Sequence, residues 1–293
     1  MSTIDLSQLP TPQVLEDLDY EQLYQDDLTT FKALMGDNWS ANLESDPVTK
    51  LLEVGAYRKL LNRSRINDAA KALMLAYAKG SDLDQLAANV SLSRLVVQAE
   101  DLTAVPPVAK VMEVDDALRE RVQLVYEGLT TAGPRNSYIL HARNASGLVA
   151  DATAESPTPA VVHVTVLGLE GNGTASAELL ATVGDYLNDD DVRPVADRVI
   201  VQSAEILPYQ INAKLYMAST GPESEGVLAL CNARLAEWIN PRRRLGVEVA
   251  RSAVDAQLHI DGVSRVELTG WSDIRPSKSQ AAWCTGFTVE RGD

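Results

Sequence analysis

The chain has 293 residues, 45% hydrophobic and 23% charged, with a formal net charge of −15. That length and balance fit a folded globular chain with a sizeable core, and they exclude collagen-like, disordered and small disulfide-framework classes. The acidity repels nucleic acid and anionic membrane at long range, so neither is expected as a partner.

Two cysteines, Cys231 and Cys284, are too few for a metal cage and suit a reducing compartment. No apolar run approaches the 18 residues of a membrane span. The amino terminus lacks the basic region and apolar stretch of a signal peptide.

Charge is uneven along the chain. Residues 1–46 hold ten acids against the single base Lys32, a net of −9. Lys50, Arg58, Lys59, Arg63 and Arg65 follow against Glu53. Either these are two solvated helix faces, or the acidic arm lies on a basic surface of this chain or a neighbour.

In chain order, Pro10 and Pro12 end an extended leader, and residues 13–35 carry apolar side chains at three- and four-residue steps, predicting a helix. A polar break covers 36–46. Asp46 then suits a helix cap, Pro47 the first helical position and Gly80 the stop. Val48, Leu51, Leu52, Val54, Tyr57, Leu61, Ile66 and Leu73 form an apolar series along this stretch. A continuous helix from 47 to 79 would span about 48 Å, more than the roughly 35 Å width of a compact 120-residue domain. Its apolar stripe would require helices from other chains, making a shared bundle. The alternative is two shorter helices kinked near Gly55 or Asn62.

Ser81 offers a cap for a short helix. Residues 92–112 read as extended, with a joint at Val105–Pro107, and helices are predicted over 115–131 and 136–144. Residues 161–167 predict a strand, 175–188 a helix, and 197–206 and 210–217 strands separated by a turn near Leu207-Pro208. Pro222 opens a helix bearing Leu228, Cys231, Leu235 and Trp238. A further helix lies within 247–260, and 263–271 with 281–290 form a closing pair of strands. The expected class is α+β: an amino-terminal long-helix region for a shared bundle, then mixed α+β domains. The expected divisions are 1–80, 81–207 and 208–293.

Few residues point to chemistry. Gly168-Leu169-Glu170-Gly171-Asn172-Gly173 follows a strand and precedes a helix, but its glycine order is not the dinucleotide fingerprint, and Glu170 would repel a pyrophosphate. It reads as a turn. His141, His163 and His259 stand at no metal-ligand spacing. Asp189–Asp191 lacks the calcium-loop pattern. No cofactor, metal or catalytic set is expected. Arg242, Arg243 and Arg244 suit a helix exit, a salt-bridged subunit contact or a phosphate site. Trp271 and Trp283 are core residues or interface anchors. These five are the carboxyl-terminal interface candidates.

The segment DPVTKLLEVGAYRKLLNRSRINDAAKALMLAYAKGSDLDQLA (Asp46–Ala87) resembles the baseplate J family of contractile-tailed phages and phage-tail-like bacteriocins, R-type pyocins included. So do EGLTTAGPRNSYILHA (Glu127–Ala142), the stretch Val162–Val201 and LGVEVARSAVDAQLHIDGVSRVEL (Leu245–Leu268). The four lie in the family's order, and the similarity as a whole covers nearly the whole chain.

The resemblance implies a structural protein without catalytic residues, assembled in the bacterial host cytoplasm as part of a tail baseplate wedge. It implies a second copy of the chain, a smaller wedge protein of the tail protein I family, and a bundle shared by their amino-terminal helices. Carboxyl-terminal domains would pair with those of neighbouring wedges to close a ring around the tube. A sheath-initiator of the W family would dock on the bundle, and rearrangement of the ring would trigger contraction. The alternative is a baseplate scaffold of another contractile injection or secretion system. Two conformations per wedge would place hinges near Val105 and Leu207-Pro208.

Overall fold

A computed structural model describes residues 5–36, 43–129, 133–218, 221, 223–240 and 243–292. The chain forms two compact units, 2–93 and 94–293.

The first unit is helical. Helix α1 spans Tyr20–Met35, and Asp19 caps it by accepting the Gln22 N–H. It starts later than the periodicity predicts, because the preceding leader is held extended by side-chain contacts described below. Helix α2 spans Pro47–Ala72, about 39 Å at 1.5 Å per residue. The expected start holds: Asp46 accepts the Val48 N–H at 2.9 Å and Pro47 opens the helix.

The expected run to residue 79 does not hold. Leu73 donates back to Ala70, and Met74 to Lys71, tightening the end into a turn. The turn brings Ala78, Leu83 and Ala87 into burial, which a straight continuation would have left in solvent. Helix α3 is Gly80–Ala88, with Lys79 rather than Ser81 at the cap position and no side-chain cap bond.

The second unit begins with a ribbon of β1 (Val96–Gln98) and β2 (Val111–Met112), antiparallel. Val105–Pro107 lies in the loop between them, closed by pairing of Asp101 with Val108. Helices α4 (Asp115–Leu124) and α5 (Arg135–Ala145) follow; residues 130 and 131 of the predicted 115–131 helix lie outside the described residues. A three-stranded sheet takes the order β3-β4-β5, with β3 Val149–Thr158, β4 Val161–Gly168 and β5 Arg198–Ser203. Strands β3 and β4 are antiparallel, while β4 and β5 are parallel and linked through α6 (Ala177–Leu187). Val162, Val164, Val166, Leu179, Val183 and Leu187 centre this core.

The second sheet has the order β7-β6-β8. Strand β6 spans Glu205–Met217, β7 Val263–Leu268 and β8 Gln280–Arg291, with helices α7 (Glu223–Trp238) and α8 (Arg251–Leu258) between β6 and β7. Tyr209, Ile211, Ala213 and Leu215 alternate into its core, which also holds Cys231, Leu235, Val254 and Leu258. The last two strands do not pair with each other: both flank β6, and β8 runs parallel to it. No turn occurs at Leu207-Pro208, which pair with Ala282 and Trp283 in β8. β7 pairs only with residues 213–217, so Pro208 sits on a stretch with an open side, where its missing N–H is tolerated. The expected boundary at 207–208 falls inside β6. The mixture of helices with antiparallel and mixed sheets is α+β.

Candidate interaction surfaces

Helix α2 has two unlike sides. Thr49, Ala56 and Asn67 are its buried residues. They are small or polar and recur at seven- and eleven-residue steps, which place them along one line of a helix. Leu51 is 76% exposed, Val54 51%, Tyr57 54%, Leu61 49% and Ile66 54%. Val48 and Leu52 are half-buried. Leu73, 77% exposed, lies just past the helix end rather than on it. An amphipathic helix folding for its own chain would turn its large apolar side chains inward. Here they face outward.

Polar contacts fasten the inner side. Asn67 Nδ2 donates to the Glu16 carbonyl at 2.8 Å, and its Oδ1 accepts the Glu16 N–H at 3.0 Å. Arg63 pairs with Glu16 at 2.7 Å, and Lys59 pairs with Asp27. The acidic arm therefore lies on the basic helix of its own chain. Nothing in the spacing marked Asn67. The same helix also carries Asn62, Ser64 and Asp68, so no local signal singled it out.

The carboxyl-terminal candidates have partners within the chain. Arg243 donates to the carbonyls of Leu169 (2.8 Å), Gly168 (3.3 Å) and Asn240 (3.3 Å), and lies 5.0 Å over the Trp283 ring. Burial, with Arg244 beside it, pushes its pKa down. Arg244 donates to Glu120 at 3.0 Å, and the other Glu120 oxygen accepts from Arg143 at 2.7 Å. Burial pushes the Glu120 carboxyl up, but the Arg244 and Arg143 guanidiniums outweigh it and hold the group below its ordinary value. Trp271 meets Tyr209 edge-on at 5.9 Å and packs against the second core. Arg242 lies outside the described residues, as does the expected helix opening at Pro222. Tyr209, Trp238, Val247, Val249 and both described arginines line a shallow cleft.

The other singled-out residues are placed as follows. The Gly168–Gly173 loop is closed by the Gly168 N–H donating to the Gly173 carbonyl at 2.8 Å, and Arg243 fills its outer side. His141 packs near Tyr186, and burial lowers its pKa. Cys231 and Cys284 are free and buried, and burial pushes both thiols up. Among the described residues no cluster of His, Cys, Asp and Glu could hold a metal ion, and no helix is long and apolar enough to cross a membrane.

Comparison with known proteins adds to this geometry. Residues 44–101 match the Baseplate J-like N-terminal domain and residues 130–203 the Baseplate J-like central domain. The chain is similar to a chain in the cryo-EM structure of the anti-feeding prophage baseplate, at 13% identity and a TM-score of 0.40, over 70% of this chain and half of that one. It is 46% identical over 299 residues to baseplate protein J of Escherichia phage P2, across 100% of this chain and 99% of that protein. The chain therefore belongs to the baseplate J family.

Proposed function

We propose that the chain is a structural component of a tail baseplate wedge in a contractile particle, assembled in the host cytoplasm and carried in the tail. Helices of other baseplate subunits cover the outer side of α2, and a second copy of the chain and a smaller subunit of the tail protein I family are the partners. Wedges join into a ring around the tube. A sheath-initiator of the W family docks on the bundle, and the ring passes the trigger for contraction to the sheath. The role is architectural rather than catalytic, as the kinship to a baseplate protein supports.

One observation carries this reading. Leu51, Val54, Tyr57 and Leu61 face solvent while the inner side of the same helix is Thr49, Ala56 and Asn67. Fully covering such side chains yields about 1.5–3 kcal/mol each, enough to drive helix association. Arg243 and Arg244 spend their hydrogen bonds inside the chain, so α2 is the stronger docking surface of the two considered.

The test is co-expression with a smaller wedge subunit of the tail protein I family from the same particle. Leu51→Asp with Leu61→Asp should abolish co-purification while the purified chain keeps its fold. Co-purification at the unsubstituted yield would overturn the shared bundle.

A further inference from the structure

Within residues 94–293 a small apolar seam and a set of polar bonds join the two cores. They share one covalent link, Ala204, between the end of β5 and the start of β6. The backbone there passes from one sheet to the other: the Ala204 N–H donates to Val166 in the first, and the Glu205 N–H to Ser279 beside the second. The apolar seam comprises Leu167, Ala204, Leu245 and Ala281, flanked by Ala150 and Ile206. Half of those six are alanine.

Polar bonds dominate the remainder. Arg243 holds the Gly168 and Leu169 carbonyls, and Arg244 holds Glu120. The Leu245 N–H donates to Asp151 at 2.9 Å, and the Thr153 hydroxyl to the Lys278 carbonyl at 2.7 Å. Arg243 Nε is buried without a hydrogen-bond partner. A buried orphan donor costs stability in this arrangement that another arrangement could recover. A thin, polar contact between two complete cores permits relative motion unless something clamps it.

We propose that Arg243 and Arg244 form a latch that sets the orientation of the carboxyl-terminal core on the central core, with Ala204 as the pivot. Each core keeps its own buried interior when the latch opens, because no residue of the latch belongs to either core. The Gly168–Gly173 loop is the receiving half. Gly173 has φ +98°, and a Cβ there would stand 3.1 Å from Arg243 Nε and 2.6 Å from Leu167. The loop is thus shaped to admit the arginine.

The experiment measures the distance between spin labels in the full chain by pulsed electron resonance. Labels go at Asp185→Cys on α6 and Glu225→Cys on α7, both exposed, with Cys231→Ala and Cys284→Ala. The latched chain should give one distance population. Arg243→Ala with Arg244→Ala should broaden or displace it, while slow amide exchange persists at Val164 and Ile211. An unchanged distribution would overturn the proposal, as would loss of exchange protection in both cores. Arg243→Ala alone and Glu120→Ala alone each cut one limb, and each should broaden the distribution partly. If neither does, the orientation is set elsewhere and the latch is wrong.

Discussion

Asn67 and Glu16 are joined by two hydrogen bonds, the side-chain amide of one serving the backbone N–H and carbonyl of the other. An amide matches a peptide group in this way because it presents one donor and one acceptor side by side. The pair fixes the leader against α2 from 51 residues away in sequence. Asn67→Ala should cost about 1–3 kcal/mol, since the Glu16 groups lose both partners in a part-buried setting. It should also raise amide exchange at Glu16 and protease cutting in residues 9–19. Unchanged exchange at Glu16 would show that Arg63 alone holds the leader.

The two sides of α2 should respond oppositely to substitution. Leu51→Asp removes little buried surface, so its effect on the midpoint of urea unfolding should be within about 0.5 kcal/mol. Leu83→Ala, at a fully buried position on α3, should cost about 2–5 kcal/mol. A large loss from Leu51→Asp in the isolated chain would mean that the outer side is already covered.

Glu113 and Arg121 form a buried ion pair at 2.6 Å beside the end of the β1–β2 ribbon, where Glu113 also accepts the Leu95 N–H and Arg121 also donates to Asn144. Burial lowers the Arg121 pKa, and the Glu113 charge opposes that fall. Removing one partner strands the other charge, so Glu113→Ala should cost about 3–5 kcal/mol. Glu113→Leu with Arg121→Met should recover much of it. A double-mutant cycle in urea checks this; equal losses for the single and double variants would refute it.

Acid should weaken the Arg143–Glu120–Arg244 bridge. The folded pKa of Glu120 is held below its unfolded value, so the folded chain binds fewer protons there. Its contribution is complete above the ordinary carboxylate pKa of about 4.3 and is lost as pH falls through the folded value. Asp151 works the other way. Burial raises its folded pKa, so ionisation as pH rises through that value reduces stability. The stability gap between the unsubstituted chain and Glu120→Gln should therefore shrink from pH 6 towards pH 3, measured by urea unfolding. A gap independent of pH would remove the charge from the account.

Local signals were readable where they were chemical and short-range. Asp46-Pro47 opened α2 as read, and the alternation of Ile211, Ala213 and Leu215 gave the buried face of β6. Strand β3 was missed because Asp151, Glu155 and Pro157 interrupt its pattern; it is an edge strand, where such residues are tolerated. The place of β6 between β7 and β8 depends on pairing across 46 to 55 residues on one side and 75 or 76 on the other, which no local pattern carries. The stop of α2 at Ala72 depends on burying Ala78, Leu83 and Ala87, a tertiary gain. Of the surfaces, the apolar side of α2 was legible from periodicity. Whether Arg243 and Arg244 meet another subunit or their own chain was not, because their partners Gly168, Leu169 and Glu120 are 75, 74 and 124 residues distant.

The division of α2 into two sides separates what folds the amino-terminal unit from what it offers outward. Asn67 is bound to the leader, Thr49 and Ala56 are buried on the same side, and no residue among Leu51, Val54, Tyr57 and Leu61 is buried. Changes to the second set leave the first undisturbed. Substitutions along the outward side should therefore alter what the helix presents to its surroundings without unfolding the unit that carries it.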